Sequence, residues 1–363
     1  MHLGHLWLTD YRSYSSAHLV PAPRGLTVVE GGNGEGKTNL LEAIAYLATL
    51  RSFRGAPSDA LVRTGAEVAI VRAEAEREGR AVLIEAELRR AGRDRVQVNR
   101  QPLGRSRDLL GALVVTVFAP DDLALVKGGP GGRRQYLDDL LVDLHPRHDA
   151  TRSELERVLK QRNALLRSSA GRATPDVVAT LDVWDAKLAV AGERLVAARQ
   201  GLTVALATVA SEAYAGLATG LAGRGRDVVA LAYQRSWSGP LAEALSSARS
   251  EDLRRGVTTV GPQRDELELF VGDLPARTHG SQGEQRSLAL ALRLAGHRVV
   301  TDRIGSAPVL LLDDVFSELD PVRASALLDG LPDGQALLTT ASALPPGAHP
   351  AVTTRVAEGR LIP

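Results

Sequence analysis

Gly31-Gly32-Asn33-Gly34-Glu35-Gly36-Lys37-Thr38 decides how this chain folds around its chemistry. The octet satisfies G-x-x-x-x-G-K-[ST] at every constrained position. Leu26-Thr27-Val28-Val29-Glu30 before it reads as a strand. Leu40, Leu41, Ile44, Leu47 and Ala48 behind it recur at helical spacing. Strand, glycine loop and helix, in that order, are the setting in which such a loop holds phosphate. Glycines let backbone N–H groups face an anion with no Cβ in the way. A helix starting near Lys37 aims the positive end of its dipole at the same point. The octet therefore predicts a nucleoside triphosphate site lined by Gly31, Gly32, Asn33, Gly34, Glu35 and Gly36. Lys37 would reach the β- and γ-phosphates, and the Thr38 hydroxyl would ligate Mg²⁺. Alone, the loop does not separate a GTPase, a kinase, a helicase or a transport ATPase.

Three later fragments narrow the choice. Val309-Leu310-Leu311-Leu312 reads as a buried strand, and it delivers Asp313 and Asp314 at its end. Asp313 is the expected metal partner of Thr38. Asp314 stands where a carboxylate would polarise the attacking water. Ser281-Gln282-Gly283-Glu284-Gln285 opens an apolar helix and resembles the signature motif of ABC-type ATPases. In that role Ser281, Gly283 and Gln285 contact a nucleotide held by a second copy of the protein. Ser317-Glu318-Leu319-Asp320 resembles the D-loop that crosses such a dimer interface. Each fragment is weak alone. In this order, behind a phosphate loop, they predict an ABC-type head that closes its ATP site by dimerising, with Lys37, Asp314 and Ser281 as catalytic candidates.

The bulk properties leave room for this. The chain has 363 residues, enough for two domains, and 44% of them are hydrophobic. Its net charge of +1 rules out a globally basic coat but not a local basic face. There is no cysteine, so no disulfide framework, zinc hook or thiol chemistry is available. Met1 to Leu8 lacks the basic start of a secretion signal, and no apolar run is long enough to span a bilayer. A cytoplasmic protein with no membrane partner is expected.

Along the chain, 68–76, 81–88 and 93–98 read as an antiparallel meander, and Leu113 to Phe118 as a buried strand. Strand character then lapses until Val228-Val229-Ala230-Leu231. Leu155, Val158, Leu159, Leu165 and Leu166 suggest one amphipathic helix. After a turn at 168–175, Leu181, Trp184, Leu188, Ala191, Leu195, Ala198 and Leu202 follow heptad-like steps. The expected architecture is an α/β, ABC-type head made of 1–130 and 255–363. It is interrupted by a helical domain over 131–254 carrying a short antiparallel coiled-coil arm.

The resemblance extends beyond the motifs. Leu6 to Tyr14, Gly31 to Ala43, Arg51-Ser52-Phe53-Arg54, Phe118 to Leu123, Lys127-Gly128 with Arg133-Arg134, Gly261 to Asp265 and Ser281 to Arg286 are all similar to blocks of the RecF family. That resemblance implies a slow, DNA-stimulated ATPase of recombinational repair. It would dimerise with ATP on DNA at gaps and at single-strand/double-strand junctions. It would act with RecO and RecR, and through them load RecA. It would have the head of SMC-type proteins without their long coiled coil. The resemblance also adds Arg12, Asn39 and Asp320 to the nucleotide contacts. Two departures from the wider superfamily stand out. Asp314 replaces the usual glutamate, and Thr339-Thr340-Ala341-Ser342 has no histidine where a γ-phosphate sensor often stands. Slow turnover is the expectation. Gln101 and Asp121 both qualify for the metal-sensing position, and the sequence does not choose between them.

DNA must meet a patch, since the net charge is so small. The candidates are Arg51, Arg54, Arg89, Arg90, Arg93, Arg95, Arg133 and Arg134, with Arg152, Arg157, Lys160, Arg162 and Arg167 on the arm. Phosphate contacts by such groups are insensitive to sequence and sensitive to salt. Two other functions compete. A transporter energy-coupling subunit would place its signature much closer to the phosphate loop. A non-hydrolysing, SMC-like structural protein would release no phosphate in the presence of DNA.

Overall fold

The computed structural model describes residues 1–218 and 226–362. In chain order the elements are β1 (His2–Tyr11), β2 (Tyr14–Leu19), β3 (Gly25–Glu30), α1 (Lys37–Thr49), β4 (Val68–Arg77), β5 (Arg80–Arg89), β6 (Arg95–Val98), β7 (Gln101–Pro102) and β8 (Val115–Phe118). There follow α2 (Leu123–Lys127), α3 (Pro130–Leu144), α4 (Arg147–Ser168), α5 (Pro175–Leu217), β9 (Val229–Gln234), α6 (Leu241–Arg255), β10 (Glu266–Val271), β11 (Leu274–Pro275) and α7 (Ala276–His279). The chain continues through α8 (Gln282–Ile304), β12 (Val309–Asp313), α9 (Pro321–Asp329), β13 (Gln335–Thr340), β14 (Pro350–Ala357) and β15 (Arg360–Ile362). They divide into two compact units, one of 1–122, 212–227 and 286–363 and one of 123–211 and 228–285.

The first unit holds two sheets. One is antiparallel, in the order β2-β1-β4-β5-β6-β7. It contains the expected meander, and β1 is a ten-residue strand. The other runs β15-β14-β3-β13-β12-β8, with β14, β3, β13, β12 and β8 parallel. Parallel strands are covered on both faces, which calls for unbroken apolar runs. Val309-Leu310-Leu311-Leu312 and Ala336-Leu337-Leu338 are such runs, and all of β12 and β13 is buried. Helix α1 packs against β12 and β13 and also against β4 and β5. That explains why it is buried nearly all round, from Leu40 to Ala48.

Register places the ends of these strands. Leu312 pairs with Phe118 and with Leu338, and Leu338 pairs with Val28. The C-terminal ends of β3, β13, β12 and β8 therefore leave the sheet on one edge, where ligands of open parallel sheets bind. Buried Gln335 joins this sheet to the antiparallel one. Its Nε2 donates to the carbonyls of Leu3 and Ala22 at 2.8 and 2.7 Å, and its Oε1 accepts from Leu3 N–H at 2.7 Å. These bonds fall beside the β1 irregularity between Leu3 and His5.

The second unit is mostly helical, with a small β11-β10-β9 sheet. In α5, Leu181, Leu188, Ala191, Leu195 and Leu202 are buried, as the heptad spacing requires, with Trp184 and Ala198 half-buried. The hairpin of α4 and α5 is not left bare. Arg162 of α4 is fully buried and donates to Asp185 of α5 (2.6 Å), Asp252 of α6 (2.7 Å) and Thr258 (2.9 Å). Arg249 of α6 reaches Asp182 and Asp185 on α5. A second buried cation, Arg199 of α5, holds Asp138 of α3 with two bonds of 2.7 Å and the Pro262 carbonyl at 2.9 Å. The boundaries at 130/131 and 254/255 both lie inside this unit. The reason is Arg133. It donates to the carbonyls of Leu125 and Gly128 and pairs with Glu266, tying α2 and β10 to the helices.

Removing Arg162 strands the fully buried Asp252 without its cation. Arg162→Ala should lower stability by about 3–5 kcal/mol in chemical denaturation. A change below the error of that measurement would show that the network carries no weight.

Candidate functional site

At the common strand edge, β3 ends at Glu30, and the chain turns through Gly31 to Gly36 before α1 begins. Gly36 is left-handed, with φ 111°. A Cβ at Gly31 would lie 2.5 Å from the Val356 carbonyl oxygen. Gly32, Asn33 and Gly34 are exposed, so the rim of the loop is open to solvent. Lys37 is buried. Its ammonium donates to the carbonyls of Gly31 and Gly32 at 2.9 and 2.8 Å and so lies folded across the loop.

Thr38 Oγ1 donates to Asp313 Oδ1 at 2.7 Å. The same oxygen accepts from Thr339 Oγ1 at 2.7 Å. Burial pushes the Asp313 carboxyl above its ordinary range and the neighbouring Asp314 charge adds to this, while the two threonine hydroxyls oppose it. Asp314 follows in a left-handed conformation, φ 48°, which turns its side chain out of the strand alternation. Its N–H donates to the Thr339 carbonyl at 3.1 Å, and its Oδ1 is buried with no hydrogen-bond partner. A carboxylate oxygen left so is an acceptor for a water or another donor. Among the described residues no three His, Cys, Asp or Glu side chains gather into a metal cluster. A hard dication here would draw on Thr38 and Asp313, with the remaining ligands from phosphate oxygens and water. That is the habit of Mg²⁺.

The other predicted residues fall as follows. Asn39 Nδ2 donates to Ser13 Oγ at 3.0 Å beside the loop. Arg12 does not extend over the loop. It makes two bonds to the buried Glu42 of α1, at 2.8 and 2.7 Å, and one to the Ala60 carbonyl. The Glu35 carboxylate accepts from the N–H of Glu358. Asp320 caps α9, accepting from Arg323 N–H at 3.0 Å, and that bond holds its carboxyl below the usual range. Of the two sensing candidates, Asp121 follows the end of β8 on the Asp313 edge. Gln101 lies in β7, at the far side of the antiparallel sheet.

Ser281, Gly283 and Gln285 belong to the second unit. Ser281 is exposed and caps α8 reciprocally. Its N–H donates to Glu284 Oε2 at 2.7 Å, and its Oγ accepts from Glu284 N–H at 3.3 Å. Gln285 is buried, and its Nε2 donates to the carbonyls of Ala276 and Arg277. Its side chain thus secures the end of α7, while the serine and the helix start remain accessible.

Three contributors escaped the sequence reading. Thr339 bonds both acids' neighbourhood, Tyr14 donates its hydroxyl to the Gly36 carbonyl at 3.0 Å, and Glu42 anchors Arg12. Only Thr339 left a signal, as a hydroxyl at the end of an otherwise apolar strand.

Comparison with known proteins shows the family and the fold. The RecF/RecN/SMC N-terminal domain model matches residues 2–338. The DNA replication and repair protein RecF of Streptomyces avermitilis is 46% identical over 357 residues, 94% of each chain. The chain belongs to the RecF family. RecF of Frankia alni is also 46% identical, over 94% of this chain and 93% of its own. A solved structure of the recombination mediator protein RecF with ATP superposes with TM-score 0.90 at 26% identity, covering 99% of this chain and 97% of that one. An SMC head bound to the C-terminal winged-helix domain of ScpA matches at TM-score 0.59 and 18% identity, a likeness of fold. The ABC-type α/β head with an added helical lobe, expected from the motifs, is the fold of this RecF-family chain. Among the described residues no helix is long and apolar enough to cross a membrane.

The raised Asp313 carboxyl sets a sign. Its ionised form is disfavoured in the folded protein. The penalty is therefore absent below the unfolded value of 3.8 and grows as pH rises through the folded value. Asp313→Asn keeps an acceptor for both threonines and removes that charge. The variant should be more stable than the parent at neutral pH without nucleotide, by on the order of 1 kcal/mol. The difference should shrink toward acid pH, as thermal unfolding across a pH series would show.

Proposed function

We propose that this chain is an ATP-dependent DNA-binding protein of recombinational repair. It dimerises with ATP on DNA and recognises gapped duplex or single-strand/double-strand junctions. It acts in the cytoplasm with RecO and RecR to help load the RecA recombinase. Its ATPase is weak and stimulated by DNA. The observation that carries this reading is the 2.7 Å bond from Thr38 to Asp313, set beside the unpartnered oxygen of Asp314. It unites the phosphate loop with two acids from a distant strand, as hydrolysis of a nucleoside triphosphate requires.

The chain's own groups divide the work. Lys37 exchanges the Gly31 and Gly32 carbonyls for the β- and γ-phosphates. The first N–H groups of α1 add their partial charge to the same oxygens. Thr38 and Asp313 would hold Mg²⁺, which would supply neutralisation of the phosphate charge. Asp314 accepts a hydrogen bond from the attacking water and orients its oxygen toward the γ-phosphorus. A P–O bond to water forms as the bond to ADP breaks, and phosphate leaves. Aspartate is a methylene shorter than glutamate, and Thr339-Thr340-Ala341-Ser342 supplies no imidazole, which fits slow turnover. Ser281 and the start of α8 would meet the γ-phosphate bound by a partner subunit, so that ATP serves as part of the dimer contact. Loss of phosphate would then weaken that contact and release DNA.

Sedimentation with and without ATP and gapped DNA tests the scheme directly. The parent should shift from monomer to dimer only with nucleotide. Lys37→Met should abolish both the shift and phosphate release. Asp314→Asn should keep the shift and lose turnover by about a hundredfold or more. Parent-like hydrolysis in Lys37→Met would overturn the assignment. Dimerisation with no phosphate release from the parent, with or without DNA, would leave a structural SMC-like role.

A further inference from the structure

Glu35 is an odd residue for a loop that holds phosphate, since it brings a negative charge beside an anion. The structure shows what that carboxylate is bonded to. It accepts from the N–H of Glu358, in the two-residue turn between β14 and β15. Both turn residues are left-handed, Glu358 at φ 49° and Gly359 at φ 68°. Such a hairpin turn leaves its first N–H outside the ladder, free for another acceptor.

The contact is one of several that close on the loop from two sides. A Cβ at Gly31 would meet the Val356 carbonyl oxygen at 2.5 Å, and a Cβ at Gly359 would meet the Ser13 carbonyl oxygen at 2.5 Å. Gly36 in turn abuts Ser13 Oγ, and its carbonyl accepts from Tyr14 OH at 3.0 Å. The phosphate loop thus runs between the β1–β2 turn and the β14–β15 turn, and those two turns touch each other. Gly31 and Gly36 are pinned by backbone proximity. Between them, Glu35 is the side chain that ties the exposed part of the loop to a fixed point.

We propose that Glu35 is a positioning residue of the phosphate loop, acting through the amide of Glu358, so that the β14–β15 hairpin presets the loop for triphosphate. The inference rests on the reading of Gly31 to Thr38 as that site. The tether removes loop conformations that would otherwise be lost on binding, which strengthens affinity without touching the reacting atoms. It acts on nucleotide binding and leaves the chemical step alone.

Two substitutions separate tether from charge. Glu35→Gln and Glu35→Ala both remove the negative charge, but only glutamine keeps a side-chain acceptor for the Glu358 amide. If charge alone mattered, both variants would bind ATP more tightly than the parent. With a tether, Glu35→Gln should bind at least as tightly as the parent. Glu35→Ala should bind about five- to tenfold more weakly, in line with the net contribution of one ordinary hydrogen bond. The readouts are ATP affinity by equilibrium titration and the split of kcat from KM, with the Glu35→Ala loss larger in KM than in kcat. Gly359→Ala, which pushes the turn off Ser13, should weaken binding in the same direction. Combined with Glu35→Ala it should add little, because both break one connection. Should Gly359→Ala unfold, the glutamine and alanine pair still decides. Equal affinities for those two variants would overturn the tether. Lys37→Met is the control for the site itself. If it binds ATP as the parent does, the reading of the loop fails, and the tether with it.

Discussion

The bond from Thr38 to Asp313 joins residues that are 275 positions apart in the chain, and most of the first unit is arranged so that they meet. Asp313 comes into place only if β12 lies between β13 and β8 in parallel register. Thr38 does so only if β3 lies next to β13 and the loop reverses within six residues. The apolar sequences of β12 and β13 secure the first condition, since such runs are stable only where the sheet covers both of their faces. The glycines secure the second. Asp313 bears a cost for its position, because burial disfavours its ionised form and the two threonine hydroxyls, with the more distant Arg54 charge, do not cancel that. The site is thus held under electrostatic strain by a well-packed sheet, a common relation between stability and activity.

How much of this could be read in the sequence follows from the range of the interactions. The strand, loop and helix around Lys37 were legible because they rest on local rules: φ > 0 at glycine, helical period, a run of β-branched and apolar residues. Asp313 and Asp314 were legible because a four-residue apolar run announces a buried strand and its end. The Ser281 turn was legible only as a resemblance to the ABC signature motif, and its reciprocal bonds with Glu284 emerged from the structure. Tyr14 and Glu42 were not legible. Their roles depend on the β1–β2 turn lying against the loop, and no local pattern encodes which turn packs against which. Arg12 illustrates the same limit. Its place in the sequence pointed toward the nucleotide, but its guanidinium is bonded to Glu42, a partner 30 residues away.

In the second unit, buried charge does the organising that apolar packing does in the first. Arg162 and Arg199 each gather carboxylate, carbonyl or hydroxyl oxygens from three segments. Several of the arginines nominated for DNA are occupied in this way. Arg133 and Arg162 are buried, and Arg152 is paired to Asp139 and Asp149. Arg157, Lys160 and Arg167 remain exposed on α4, so the arm's cationic surface is smaller than its composition suggests.

The contact between Glu35 and Glu358 uses a main-chain amide on one side and a side chain on the other. What stands at 358 beyond its backbone is therefore of no consequence to the loop, whereas 359 must stay without a side chain to keep the turn against Ser13. Across diverging lineages, 358 should accept residues that keep an N–H and tolerate a left-handed backbone, beside an immobile neighbour. Whatever replaces Glu35 should remain a group able to accept a proton-bearing nitrogen.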